Sequence, residues 1–272
     1  MKSVNMYDIG TYVAEIYDQN ENYIDDVLLI KKHLNNKKIN ILEPFCGTGR
    51  ISLPFAEEGH EVVGIDNAKG MLALYAKKVK NRNVPSNKVK LINRDVLNYK
   101  WPEKFDLVIL GGNCFYELAT KEEQELCIKK AYNSLNNGGY IYIDNNHMEG
   151  DLDPSWQQKG IVRKSLCGIT DDGSTVETTM ETIWYDVKKR LAKFKRRGKV
   201  IKSNGEIIES QYIQQKHPVS AYEVQLWLKK YNFDIIKKYG DRKGGPYSND
   251  SPRAIFWGRK QLKGQARDGS LY

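Results

Sequence analysis

Residues 39–71, INILEPFCGTGRISLPFAEEGHEVVGIDNAKGM, decide how the rest of the chain is read. Ile39, Ile41 and Leu42 make a short apolar run, the pattern of a strand buried on both faces of a parallel sheet. Gly47 and Gly49 then bracket a tight turn where backbone approaches a ligand with no Cβ in the way. Arg50 to Glu58 is long enough for a short helix. Pro54 belongs in its first turn, where a missing N–H costs least, and Gly59 stops it. A second apolar run, Glu61 to Ile65, ends on Asp66. Strand, glycine turn, helix, strand and acid in that order form the first βαβ unit of a dinucleotide-type fold, whose acid meets ribose hydroxyls.

Two positions discriminate among adenosine ligands. A nicotinamide-type fingerprint has a third Gly or Ala three residues after the second glycine, and position 52 is Ser. Glu43 ends the first strand, where a carboxylate repels a pyrophosphate but suits a ligand with cationic groups. The run E-P-F-C-G-T-G, Glu43 to Gly49, resembles the first motif of the class I S-adenosylmethionine-dependent methyltransferases, whose ligand carries a sulfonium and an ammonium and no phosphate. Phe45 departs from the commonest family form, which has a first glycine there, so a differently shaped turn is expected.

The resemblance implies S-adenosylmethionine as cofactor and S-adenosylhomocysteine as product. It also implies residue roles. Glu43 steers the methionine ammonium through Gly47 and its neighbours Phe45 and Gly49; Asp66 grips the ribose, with Asn67 and Met71 lining the adenosine pocket. Asp95 accepts from the adenine amino group and the Val96 N–H meets a ring nitrogen. The fold implied is α/β: a Rossmann-like, doubly wound, seven-stranded sheet, mostly parallel with an antiparallel strand near the C-terminus, plus an inserted antiparallel β layer.

The bulk properties set limits on the partners. At 272 residues the chain holds one core and a smaller appended lobe. No run approaches the roughly 18 apolar residues of a membrane span, and MKSVNMYDIG lacks the apolar core of a signal peptide, so no membrane partner is expected. Cys46, Cys114, Cys127 and Cys167 are far apart, without metal-ligand spacing or a disulfide pattern; no metal is expected, and a reduced cytoplasm is the natural compartment. The net charge of +9 raises the question of nucleic acid. Most lysine pairs fall on helix faces, and the one real cluster is Lys188-Lys189-Arg190 with Lys193, Lys195, Arg196 and Arg197. It is either a solvated face or a contact for an anionic substrate or RNA.

Taken in order, Asp8 to Leu34 holds two helical patterns, with Tyr12, Ile16 and Tyr17 in the first. YVAEIYD resembles the N-terminal helix that caps the ligand cleft of small-molecule methyltransferases, so Tyr12 and Tyr17 either face the ligand or pack the helix on the sheet. Ala68 to Lys80 reads as a helix, Val89 to Ile92 as a third strand, and Phe105 to Leu110 as a fourth. After it, Gly111 and Gly112 let backbone approach the ligand, and Asn113 offers a donor and an acceptor near the reacting centre. The run N-C-F-Y-E-L-A-T-K-E-E-Q resembles the glycine- and sarcosine-type N-methyltransferases and their amino-sugar-modifying relatives. It lacks the D/N-P-P-Y/F loop of enzymes that methylate exocyclic amines of bases. Thr120 and Glu123 form a capping box for a helix to Leu135, ended by Asn137-Gly138-Gly139. Tyr140 to Asp144 is the fifth strand, with His147 just beyond it, either meeting substrate or bonding its own loop.

From 149 to 215 the pattern alternates apolar and polar residues in β style, with turns at Asp171-Asp172-Gly173 and Ser203-Asn204-Gly205. In methyltransferases such an insert covers the acceptor site. Arg163, Trp184, Tyr185 and Tyr212 are therefore candidates to shape it, or else ordinary sheet residues. Ser220 with Glu223 caps a last helix, and Phe233–Tyr239 with Ala254–Lys260 make a closing antiparallel pair. Tyr116, Arg242 and Tyr247 complete the acceptor-binding candidates. The division expected is 1–148 with 216–260 as the cofactor-binding core, 149–215 as the insert, and 261–272 as a solvated tail.

The activity expected is transfer of a methyl group to an amine, or a hydroxyl, of a small-molecule acceptor by a monomer or homodimer. A neutral amine needs no strong base; an oxygen acceptor does, with His147 or a tyrosine such as Tyr17 as candidate beside Asn113. The competing readings are an RNA methyltransferase using the 188–197 cluster and a cofactor-binding regulatory module without chemistry.

Overall fold

The structure is a computed structural model, and it describes residues 5–34 and 37–262. The expected tail lies outside the described residues from position 263 onward.

Seven strands form one sheet: β1 (Asn40–Pro44), β2 (Glu61–Asp66), β3 (Val89–Asn93), β4 (Phe105–Leu110), β5 (Leu135–Asn146), β10 (Phe233–Tyr239) and β11 (Arg253–Lys260). Their order is β10-β11-β5-β4-β1-β2-β3. All pairings are parallel except those of β11, which runs antiparallel to both β5 and β10. The order reverses at β1, between β2 and β4, so a crevice opens beyond the carboxyl ends of these strands.

Helices cover both faces because the central strands are apolar on both. On one face α5 (Lys121–Ser134) and α6 (Ala221–Lys230) bury Cys127, Ile128, Ala131, Val224 and Leu228 against Val108, Leu110, Ile141 and Phe256. On the other, α2 (Asp25–Lys31), α3 (Leu53–Glu57) and α4 (Lys69–Asn81) pack Val27, Ile30, Phe55, Leu72 and Tyr75 against Ile41, Val62, Leu107 and Ile109.

The second sheet is a meander, β6 (Val162–Ile169), β7 (Thr175–Asp186), β8 (Leu191–Ile201) and β9 (Ile207–Lys216), each antiparallel to the next. Helix α1 (Tyr12–Asn20) joins it to the first sheet. Val13 and Ile16, with Met6 and Ile9 ahead of the helix, pack against Val176 and Val200, while Ala14 packs against Ala68, Met71 and Leu74.

Three local expectations are revised. The helix after the glycine turn begins only at Leu53, because residues 47–52 are spent in the turn; Pro54 does occupy its first turn. Strand β5 starts directly at Leu135, so Asn137-Gly138-Gly139 lies inside the strand, where a register shift against β4 absorbs it. The capping box of α5 is also altered. Thr120 accepts from the Glu123 N–H, but the Glu123 carboxylate reaches the Ala119 N–H, at 2.6 Å. In α6 the Ser220–Glu223 box is complete.

Candidate functional site

A cavity of about 390 Å³ occupies the crevice. One wall comes from the ends of β1, β2 and β4 and the turns that follow them. Opposite stand Asn5, Tyr7 and Tyr17 from the N-terminal segment, and Tyr212, Ile213 and Gln214 from β9.

The turn after β1 holds three residues in the left-handed region: Phe45 (φ +62°), Gly47 (φ +51°) and Gly49 (φ +74°). A phenylalanine there costs on the order of 1–3 kcal/mol, offset by packing of its ring on the core. The two glycines serve different ends. A Cβ on Gly47 would meet nothing within 4 Å, since this residue faces the cavity. A Cβ on Gly49 would fall 2.4 Å from the Tyr75 ring, so this glycine makes room for Tyr75 and does not line the cavity. The Tyr75 hydroxyl and Ser52 Oγ lie 2.8 Å apart, tying α4 to the turn.

Three carboxylates, Glu43, Asp66 and Asp95, line the cavity. Glu43 is buried, and its Oε2 has no hydrogen-bond partner among the described residues. Burial pushes its carboxyl up to about 8, opposed by a hydrogen bond from Ser52 and the charge of Arg50. Asp66 accepts from the Gly47 N–H (2.9 Å) through Oδ2 and from the Ala68 N–H (2.8 Å) through Oδ1. Burial holds its carboxyl above the usual aspartate range against these amide bonds. Each oxygen keeps a lone pair for a ligand hydroxyl. Asp95 accepts from the Leu97 and Asn98 N–H groups (2.7 and 3.1 Å) through Oδ1, which orients Oδ2 for a ligand donor. Asn67, Met71, Val96, Gly111 and Gly112 line the same cavity.

A further lining acid was not foreseen. Glu117 closes the 3-10 turn Cys114–Glu117 after β4 and lines the cavity near Tyr7 and Tyr212, with Tyr17 also on the lining. Its carboxylate accepts from Lys216 Nζ (3.0 Å) and Gln214 Nε2 (2.7 Å), yet half its side-chain surface is open. Burial within the walls raises its pKa, but Lys216, Gln214 and Arg196 outweigh that and hold it below the usual glutamate range. Burial raises all three tyrosines, Tyr212 to about 12. One signal was legible: Glu117 is the sole charge in the run Cys114–Leu118 just past a central strand.

Several predicted site residues stand elsewhere. Tyr12 packs with the Met6 cluster on the second sheet, outside the cavity. Asn113 Oδ1 accepts from Arg253 (2.8 Å) and the Asn146 N–H (2.7 Å), so it braces its loop away from the cavity. His147 is bound through Nδ1 to the Ser251 carbonyl (3.0 Å) and through Nε2 to Tyr247 (2.8 Å), and neither ring lines the cavity. Tyr116 stacks edge-on to Trp156, and Arg163 donates to the Ser155 carbonyl and Thr182. Trp184 lies under Lys193. Arg242 belongs to a buried ionic chain: Arg50 grips Asp26 (2.9 and 2.6 Å), Arg242 lies 3.8 Å from Asp26 and 2.8 Å from Asp144, and Arg253 meets Asp144 at 2.6 Å. Of the basic cluster, Arg190 donates to the Met148 carbonyl, Arg196 is buried and Arg197 pairs with Glu181 at 3.0 Å. Among the described residues no group of His, Cys, Asp and Glu is arranged for a metal, and no helix is long and apolar enough to cross a membrane.

The donor set suits an adenosyl amino acid: a buried carboxylate with one oxygen unpartnered for a cation, a half-used carboxylate for hydroxyls, and an oriented one for an amine. Comparisons with known proteins agree. Residues 41–139 match the family model described as "Methyltransferase domain". The glycine/sarcosine N-methyltransferase of Parasynechococcus marenigrum is 27% identical over 127 residues, 45% of this chain and 42% of that protein. The chain spans about two fifths of the length of the curated relatives it matches first. An S-adenosylmethionine-dependent methyltransferase structure from Clostridium acetobutylicum superposes with a TM-score of 0.69 at 16% identity, over 91% of this chain and 97% of that one. The sugar N-methyltransferase KedS8 from Streptoalloteichus gives 0.64 at 15% identity, over 96% and 98%. Residues 41–139 thus match a methyltransferase domain in sequence, and nearly the whole chain shares its fold with S-adenosylmethionine-dependent methyltransferases.

Proposed function

We propose that the protein uses S-adenosylmethionine to methylate an amine nitrogen of a small molecule. The observation that carries this is the unpartnered oxygen of buried Glu43 in a cavity that, among the described residues, holds no base suited to an alcohol. The tyrosines there are held above their ordinary range and Glu117 below its own, while His147 lies outside the cavity. An amine brings its own lone pair and requires no such base. The named activities of the glycine/sarcosine and sugar N-methyltransferases support the same choice.

The cofactor supplies an electrophilic methyl group on a cationic sulfur. Glu43 would hold its ammonium, Asp66 the ribose hydroxyls and Asp95 the adenine amine. Tyr7, Tyr17 and Tyr212 would exclude water around the acceptor. Alignment of this kind can offset roughly 7–11 kcal/mol of barrier. The roles of these residues, and the division of labour between the two sheets, belong to this proposal.

The test is incubation with isotopically labelled S-adenosylmethionine and pools of small amines and alcohols, followed by mass spectrometry. An amine gaining one labelled methyl is expected. Labelling confined to alcohols, or to RNA, would refute the reading.

A further inference from the structure

Glu117 is unusual among the ion-paired acids of this chain. Surface carboxylates pair in open solvent and Asp26 and Asp144 pair with no exposure, whereas Glu117 lines the cavity, pairs with Lys216, which does not line it, and still leaves half its side-chain surface exposed. Lys216 takes one lone pair of Oε1 and Gln214 one of Oε2, so both oxygens keep accepting capacity toward the interior. The partners come from β9 and the carboxylate from the turn after β4, which fixes its orientation across the gap between the sheets.

We infer that Glu117 is the acceptor anchor, and that it restricts the acceptor to primary and secondary amines. This rests on the methyl-transfer reading above. The acceptor enters as the neutral amine and donates an N–H to Glu117, which turns the nitrogen lone pair away from the carboxylate and toward the cofactor end. As the new N–C bond forms, the S–C bond breaks and its electron pair stays on sulfur. The nitrogen becomes an ammonium and retains its N–H against Glu117, whose negative charge stabilises the positive charge arriving there. A tertiary amine has no N–H to offer and loses the anchor. The tyrosines around Glu117 add aromatic faces suited to a cation. Because nearby cations keep Glu117 ionised, it acts as an acceptor of hydrogen bonds and is a poor proton abstractor.

The experiment has a binding arm and a turnover arm. Protein loaded with S-adenosylhomocysteine is titrated calorimetrically, at a pH above the ammonium pKa of each amine so that the neutral forms are present, with benzylamine and glucosamine, each beside its N-acetyl form, and with N,N-dimethylbenzylamine. Wild type is expected to bind the primary amines and to discriminate against the acetylated and dimethylated forms. Glu117→Gln is expected to weaken amine binding at least about tenfold while S-adenosylhomocysteine affinity and the melting temperature stay at wild-type values. In turnover with any amine that is methylated, Glu117→Gln should raise the KM for that amine far more than the KM for the cofactor. Equal binding of amines and acetylated forms, absence of amine binding at the highest soluble concentrations, or an unchanged Glu117→Gln would overturn the inference. If S-adenosylhomocysteine itself fails to bind wild type, the methyltransferase reading fails instead, and the amine titrations of unloaded protein still judge Glu117.

Discussion

Arg242 donates to Asp144 at 2.8 Å, and Asp144 has no exposed surface. The pair ties the loop between β10 and β11 to β5, and Arg253 holds the other Asp144 oxygen. Removing Arg242 takes one of two guanidinium partners from Asp144 and leaves Arg253 to hold it, so the loss should stay below the roughly 3–5 kcal/mol of a fully unpaired buried charge. Arg242→Ala is therefore expected to lower the urea midpoint measurably while the KM for any acceptor stays close to wild type. A large rise in that KM with unchanged stability would return Arg242 to the acceptor site.

Glu43 makes a pH-dependent prediction. Its folded carboxyl titrates near 8, above the ordinary 4.5, so the folded protein holds an extra proton between those values. On its account stability is greatest below about 4.5, falls as pH rises through that window, and levels off above about 8. Glu43→Gln should therefore melt at higher temperature than wild type near pH 9, with the gap closing near pH 5; each ~1 kcal/mol corresponds to roughly 2–4 °C. The same substitution should weaken S-adenosylmethionine binding. Binding by wild type near pH 7 should release a proton, seen by calorimetry in buffers of different ionisation heat.

Asp66 both faces the cavity and holds the Gly47 and Ala68 amides. Asp66→Ala is expected to lose S-adenosylhomocysteine affinity by at least about tenfold and also to lower the melting point, because two buried-amide partners vanish together. Unchanged affinity by calorimetry would argue against the ribose role.

Gly49→Ala places a methyl group 2.4 Å from the Tyr75 ring on a residue with φ +74°. Overpacking and backbone strain together predict a loss of about 2 kcal/mol or more, readable as a shifted denaturant midpoint. Gly47→Ala, with open space around its Cβ, should destabilise less but impair cofactor binding more.

His147→Ala tests a negative expectation. The ring is held by the Ser251 carbonyl and Tyr247, outside the cavity. The kcat for an amine acceptor should stay within a few-fold of wild type, whereas a fall of several hundredfold would restore His147 as a base.

What the sequence disclosed and what it hid divide along physical lines. The glycine turn, the acids ending β1 and β2, and the alternation of β6 to β9 are local signals, and each reads off a few neighbouring residues. Side-chain partnerships across the chain carry no such local mark. Nothing near Arg242 announces Asp144 or Asp26, and nothing near Asn113 announces Arg253, yet these contacts decide that both residues are braces. Phe45 is the intermediate case. Its departure from the glycine pattern was visible, while its adoption of a left-handed backbone anyway, at φ +62°, depends on the core that receives its ring.

The cavity draws its lining from separate sheets, part from the turns of the first and part from β9 of the second. Changes at Tyr212 or Gln214 share no hydrogen bond with Glu43, Asp66 or Asp95, so their free-energy effects should sum with changes made there. Under the proposed function, such an arrangement would let evolution, or an engineer, retool what is modified without renegotiating how the methyl donor is held.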